Sequence, residues 1–232
     1  MDDQFKGGIT MWKSYKKLII LTILLTLAPI LFGVIMWEPL PDKIATHFNM
    51  NNQPNGWTSK PIAVFGLPCL LVAVQVFTLI ITAIDPKKKN IAPNSILVVL
   101  WLMPIMSWLV SFISYADALG YQVNINAIVI TFIGILFVVL GNFSPKNQHN
   151  YSYGVRTRWA LDDDENWYHT NRVAAICMVI GGILTTICGL LMFIINLSLP
   201  LIIIEIVIIL VMALYPIYYS YRFYRKKQLN KQ

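Results

Sequence analysis

Six apolar stretches divide the chain, roughly Leu18–Trp37, Ile62–Ile84, Ile96–Ala116, Ile125–Gly141, Val173–Ile195 and Leu199–Tyr221. Each is about 17–23 residues long, enough for a helix to cross a hydrocarbon core about 30 Å thick. Lipid offers the backbone no hydrogen-bond partners, so stretches of this kind are expected as helices. Threading them back and forth sorts the charges. Lys6, Lys13, Lys16, Lys17, Lys87, Lys88, Lys89, Lys146, Arg156, Arg158 and Arg172 fall on one side, with Arg222, Arg225, Lys226, Lys227 and Lys231. Only Lys43 and Lys60 fall on the other. The positive-inside rule assigns the first side to the cytoplasm. The expected fold is an all-α integral membrane bundle of six transmembrane helices with cytoplasmic N- and C-termini. One extracellular loop runs from about 38 to 61, and a long cytoplasmic loop from about 142 to 172.

Hydrophobic residues make up 57% of the chain and charged residues 12%; a soluble domain carries roughly twice that charge. The net charge of +7 comes from residues that flank spans, where they meet anionic headgroups. Membrane lipid is therefore the expected partner and nucleic acid is not. The first stretch follows a basic segment but exceeds the ~7–15 residue apolar core of a signal peptide and precedes no A-x-A site, so an uncleaved anchor is expected. Cys69, Cys177 and Cys188 lie inside spans without C-x-x-C spacing and are read as apolar packing residues, not a disulfide. Residues 1–232 are read as a single polytopic membrane domain. The connection Asn196–Ser198 is so short that spans five and six are expected as a tight antiparallel pair.

Trp12, Tyr15, Trp37, Tyr115, Tyr121, Tyr218, Tyr219, Tyr221 and Tyr224 stand where an interfacial aromatic belt places them. Gly181, Gly182, Thr185, Thr186 and Gly189 form a small-residue stripe on span five, expected to pack against span six. Glu205 lies roughly 9 Å into span six. An intramembrane carboxyl marks a functional site, or is hydrogen-bonded to a neighbouring helix, or reaches back to the outer interface. Its presence keeps a second functional class open, an ion- or proton-coupled transporter. The other polar groups at depth are mainly Gln75, Thr78, Ser107 and Ser111.

The long inner loop ends in an acidic run, Asp162 to Glu165, with the spacing of a capping box. A helix is expected from about Asp163 through Trp167 and Arg172 into span five. Gly154 suits a tight turn, and Arg156 and Arg158 are placed to pair with the acidic run or with lipid phosphate. His149 and His169 are far apart, and the acidic cluster lacks EF-hand spacing, so no metal site is expected. No G-x-S-x-G, H-E-x-x-H or P-loop is present, so the chain is read as no enzyme, with no catalytic residues and no cofactor. In the outer loop, Pro54 and Asn55-Gly56 are turn residues, with Thr46–Asn49 and Gly56–Thr58 as the arms of a short hairpin. His47 is either structural or a ligand contact.

Leu40-Pro41-x-x-Ile44-x-x-His47-Phe48-Asn49 and Gly56-Trp57-x-x-Lys60 within 38–61 resemble the N-terminal signature of the SdpI-type bacterial immunity proteins. Gly154-x-Arg156-Thr157-x-Trp159-x-Leu161, then Trp167 and Asn171-Arg172, within 142–195 is similar to that family's C-terminal signature. Leu119-Gly120-Tyr121-x-Val123-Asn124-Ile125 and Gly141-Asn142 are similar as well. Arg158 stands where the family usually has proline. The resemblance implies a multi-pass protein of the plasma membrane of a bacterium. It implies an immunity protein giving protection against a secreted membrane-active toxin peptide, and a receptor that holds a transcriptional repressor protein at the membrane. On that reading His47, Phe48, Trp57 and Lys60 are the candidate toxin contacts. Gly154, Arg156, Thr157, Trp159, Trp167, Asn171 and Arg172 are the candidate cytoplasmic partner contacts.

Overall fold

A computed structural model of the protein describes residues 2–195 and 198–230, with side chains from Ser14 onward except at Ser198. The side chains of Lys6, Trp12 and Lys13, all of Lys231, and Asn196 and Leu197 of the expected turn lie outside the described residues. The elements are helix α1 (Asp2–Ile35), strands β1 (Lys43–Phe48) and β2 (Pro54–Ser59), and helices α2 (Leu67–Ile84), α3 (Pro93–Ala118) and α4 (Ile125–Phe143). Then come a short α5 (Arg158–Leu161), α6 (Asp164–Ile194) and α7 (Ser198–Leu229). Among the described residues six helices are long and apolar enough to cross a membrane, one for each apolar stretch. The all-α membrane architecture expected from the sequence is the one observed. α6 and α7 continue well past their apolar runs at the ends nearest the long loop.

The chain forms two compact units: residues up to Ile84 with Ile96–Ile125, and Asp85–Ser95 with the chain from Asn126 onward. In the first unit, α1, α2 and α3 are tied by polar groups at depth. Gln75 is fully buried, and its amide donates to Thr22 Oγ1 at 2.7 Å. Thr26 Oγ1 donates to the Thr22 carbonyl at 2.7 Å, and Ser107 Oγ to the Thr26 carbonyl, also at 2.7 Å. Side chains that bond one another across helices satisfy groups that lipid cannot. The hairpin sits over this unit's apolar end, where Leu40 and Ile44 pack with Ala63, Val64 and Tyr115. Gly33 makes that closeness possible. A Cβ there would stand 2.6 Å from the Tyr115 hydroxyl and 2.7 Å from Val64 Cγ1.

A π-helical turn, Ile62–Gly66, leads into α2, its last bond running from Leu67 N–H to the Ile62 carbonyl. Pro68 explains it. Proline has no N–H for the carbonyl four residues back and its ring crowds that carbonyl, so the preceding turn widens.

In the second unit α6 and α7 run antiparallel. Asp163, just before α6, bonds Lys227, Asn166 bonds Ser220, and Thr185 bonds Glu205, so numbering falls on one helix as it rises on the other. The small-residue stripe does not face α7 alone. Gly181 lies against Met212 and Ile208 of α7, but Gly182 meets Gly134 and Val138 of α4, and Gly189 meets Thr131 of α4. Residues three and four apart on a helix span a broad face, and here two neighbouring helices share it.

Candidate functional site

Two assemblies of loop residues carry the sequence-derived candidates, one in each unit. The first is the hairpin. Its register pairs Ile44 with Thr58, Ala45 with Trp57 and His47 with Gly56, with irregularities on either side of His47. The turn lies earlier than Pro54 and Asn55-Gly56 suggest, because those residues belong to β2. Asn49 makes the turn. Its side-chain oxygen accepts from Asn51 N–H at 2.9 Å and Gln53 N–H at 3.0 Å, and Asn52 takes the left-handed conformation at φ 58°. An Asx turn of this kind needs only the asparagine side chain. Gly56 is a spacing glycine, since a Cβ there would lie 2.9 Å from His47 Cβ.

Of the candidate toxin contacts, Trp57 is 58% exposed and His47 is exposed, its Nδ1 bonded to Asn55 Oδ1. Phe48 is half-buried. Lys60 is inside. Its ammonium donates to the Trp37 carbonyl at 3.0 Å, lies 5.3 Å from the Trp37 ring centroid and pairs with Asp42 at 3.7 Å. Lys60 therefore fastens the hairpin to the end of α1. Each strand keeps one edge that pairs with no further strand among the described residues, and exposed main-chain edges are what extended peptides add to.

The second assembly is a hydrogen-bonded platform around 147–172. Asn147 to Asn150 fold back on the loop before α3: Gln148 N–H donates to the Asn90 carbonyl at 2.9 Å, and Asn147 Oδ1 accepts from Ala92 N–H at 2.8 Å. Asp85, 3% exposed, accepts from Lys87 N–H at 2.7 Å, Tyr151 N–H at 2.9 Å and the Ser152 hydroxyl. Gly154 has φ +103°, and a Cβ there would run into the Asn171 carboxamide. Asn171, 4% exposed, accepts from Val155 N–H at 2.7 Å and donates to the Trp167 carbonyl at 3.0 Å. Trp167, 2% exposed, stacks on His149 with centroids 4.9 Å apart. His149 Nδ1 bonds Asp164 and stands 3.0 Å from Lys87 Nζ.

Thr157 caps α5 by accepting from Ala160 N–H at 3.2 Å, and its hydroxyl meets Ser220 Oγ at 2.6 Å. Arg158 opens that helix. The first helical N–H needs no intrahelical partner, which is why proline suits this position and why arginine fits it equally well. Asn166 joins α6 to α7, donating to the Ser220 carbonyl at 3.0 Å and accepting from Ser220 Oγ at 3.1 Å.

The acidic run is arranged differently from the expected capping box. Asp163, not Asp162, caps α6, accepting from Glu165 N–H at 3.3 Å. Its charge is met by Lys227, which also reaches Glu165 at 2.8 Å. Arg156 donates instead to the Tyr151 carbonyl at 2.7 Å. Of the candidate partner contacts, Trp167, Asn171 and Thr157 thus hold the platform together and Gly154 shapes it. Arg156 and Arg172 are exposed, and half-buried Trp159 packs its ring 5.1 Å from Tyr221. Sequence reasoning missed Asp85, Asn150, Ser220 and Lys227. Asp85 and Asn150 carried the usual signal of an Asx residue opening a turn; Ser220 and Lys227, lying on a helix, carried none.

Glu205 is 6% exposed and accepts from Thr185 Oγ1 at 3.0 Å, the inter-helix bond that is one of its expected roles. Among the described residues no three His, Cys, Asp or Glu side chains converge as metal ligands would.

Residues 146–220 match the SdpI/YfhL protein family, and residues 24–72 match a domain of unknown function, DUF1648. The first segment contains most of the platform and ends at Ser220; the second contains the whole hairpin, Gly33 and Lys60. The chain is 27% identical over 212 residues to the immunity protein SdpI of Bacillus subtilis (strain 168), covering 89% of this chain and 96% of that protein. No solved structure matches. The chain is a multi-pass protein of the bacterial plasma membrane, and its residues 146–220 are similar to the SdpI/YfhL protein family.

Proposed function

We propose that this protein is a membrane immunity protein that protects its cell from a secreted membrane-active peptide. The observation that carries the reading is the near end-to-end relation to an immunity protein, 89% of one chain against 96% of the other. The hairpin supports it from the physical side. Trp57 offers a rigid aromatic anchor, and the free strand edges offer main-chain donors and acceptors, the combination by which an extended peptide is held. The charge asymmetry supports an outer-face position for this hairpin, where a secreted peptide arrives.

The finer part of the proposal concerns signalling. Exposed Arg156, and Trp159 beside Tyr221 and Tyr224 of α7, form the site at which a cytoplasmic repressor protein is held once peptide is bound. Such recruitment needs a platform that binds the repressor differently in the peptide-bound and free states.

The test is expression in a sensitive bacterium, challenged with a panel of membrane-active peptides from related strains. At least one peptide is expected to kill control cells at a dose that expressing cells survive. Equal killing across the panel removes the immunity reading. Where protection is found, Arg156→Ala is expected to abolish recruitment of a fluorescent repressor to the membrane and spare survival; loss of both in parallel with protein abundance reduces the platform to a structural element.

A further inference from the structure

Between α4 and α6 runs a groove of about 410 Å³, lined by Gly141 and Asn142 of α4, Pro145 just beyond it, and Arg172, Ile176 and Ile180 of α6, among others. That size lies within the range of small-ligand sites. Small residues set its floor. A Cβ on Gly141 would stand 2.8 Å from the Ala175 carbonyl oxygen, so the two helices meet closely there. Pro145 and Arg172 also line a recess of about 80 Å³ beside Asn147 and Tyr168.

The two ends differ in chemistry. Arg172 is exposed, and its guanidinium donates to the Tyr168 hydroxyl at 2.9 Å. It forms no ion pair with any carboxylate among the described residues, unlike Lys227 and Lys87. It is also the last charged residue before the apolar run that starts at Val173. Ile176 and Ile180 follow at successive intervals of four, so the three side chains form one stripe about 12 Å long. A cation at headgroup depth above an apolar channel between helices fits an amphiphile with one anionic head and an acyl tail.

The charge of the lining has one sign. Neither the groove nor the recess contains an acidic side chain to meet a headgroup ammonium, and the net charge of the chain is +7. We propose that this groove is a binding site for one anionic phospholipid, its phosphate on Arg172 and an acyl chain along Ile176 and Ile180. The site stands apart from the proposed immunity activity. It takes Arg172 out of the partner-contact set and makes it a lipid ligand, through the charge-assisted bonds that guanidinium forms with phosphate.

The experiment is native mass spectrometry of the full chain, purified in mild detergent and mixed with phosphatidylglycerol or phosphatidylcholine. The wild type is expected to retain one phosphatidylglycerol in preference to phosphatidylcholine. Arg172→Gln is expected to lower that retention roughly tenfold, the loss of one charge-assisted contact. Ile180→Trp, which fills the groove and leaves the charge in place, is expected to lower it as well. Arg225→Gln, an exposed cation on α7 outside the groove, is expected to change nothing. Equal retention of the two lipids by wild type, or wild-type retention by Arg172→Gln or Ile180→Trp, overturns the proposal. If Arg172→Gln does not yield folded protein, Ile180→Trp alone decides by the same criterion.

Discussion

Asn171 satisfies two backbone groups at once, the N–H of Val155 and the carbonyl of Trp167, and it is buried while doing so. Removing a buried partner strands the groups it served, at a cost of about 1–3 kcal/mol each. Asn171→Ala is therefore expected to lower the thermal stability of the purified protein and its abundance in cells. Gly154→Ala is expected to do the same for a different reason. Its φ of +103° costs an L-residue about 1–3 kcal/mol, and the new Cβ collides with Asn171. Arg156→Ala, at an exposed side chain with one bond to the Tyr151 carbonyl, is expected to leave both readouts near wild type. A melting series that ranks these three differently contradicts the division of the platform into scaffold and surface.

The hairpin and its fastening show how an element is held from outside itself. β1 and β2 form a two-stranded sheet, which alone is marginal in water. Packing of Leu40 and Ile44 on Tyr115, with Lys60 tied to the Trp37 carbonyl, supplies the rest. Lys60→Met keeps the apolar stem and removes the donor, so it is expected to free the hairpin, seen as faster amide exchange over Lys43–Ser59. Asp42→Ala is expected to leave exchange unchanged, because the Asp42 side chain is fully exposed and such pairs contribute about 0–1 kcal/mol. Faster exchange with Asp42→Ala and not with Lys60→Met inverts this account. The hairpin was legible in the sequence, but its turn was placed too late. Asn55-Gly56 carries the strongest short turn signal, yet here Gly56 provides cross-strand room beside His47, and the turn is built by Asn49. The small stripe on α6 was legible as packing but not as two packings, since periodicity gives a face and not the number of helices that share it.

At the scale of the whole molecule, the six spans were legible because lipid tolerates few alternatives to a long apolar helix. The platform was only partly legible. Asp85 meets Tyr151 66 residues away and Lys227 meets Asp163 64 away, and no local pattern encodes partners so distant. The two DUF1648 and SdpI/YfhL segments nevertheless coincide with the hairpin and most of the platform. The expected orientation rests on charge alone and is checked by cysteine labelling in intact cells, with Cys69, Cys177 and Cys188 replaced by alanine. Asn55→Cys is expected to react with a membrane-impermeant maleimide and Asn230→Cys only after permeabilisation; the reverse pattern overturns the topology. The immunity reading is tested most directly by dose–survival curves against a peptide to which the wild type gives tolerance. These compare cells expressing wild type, cells expressing Trp57→Ala at matched abundance, and cells with empty vector. Wild type is expected to survive doses that kill the vector control, with Trp57→Ala shifted toward the control by roughly tenfold or more, the loss of an aromatic anchor of about 2 kcal/mol. A Trp57→Ala curve that overlays the wild type contradicts recognition by the hairpin.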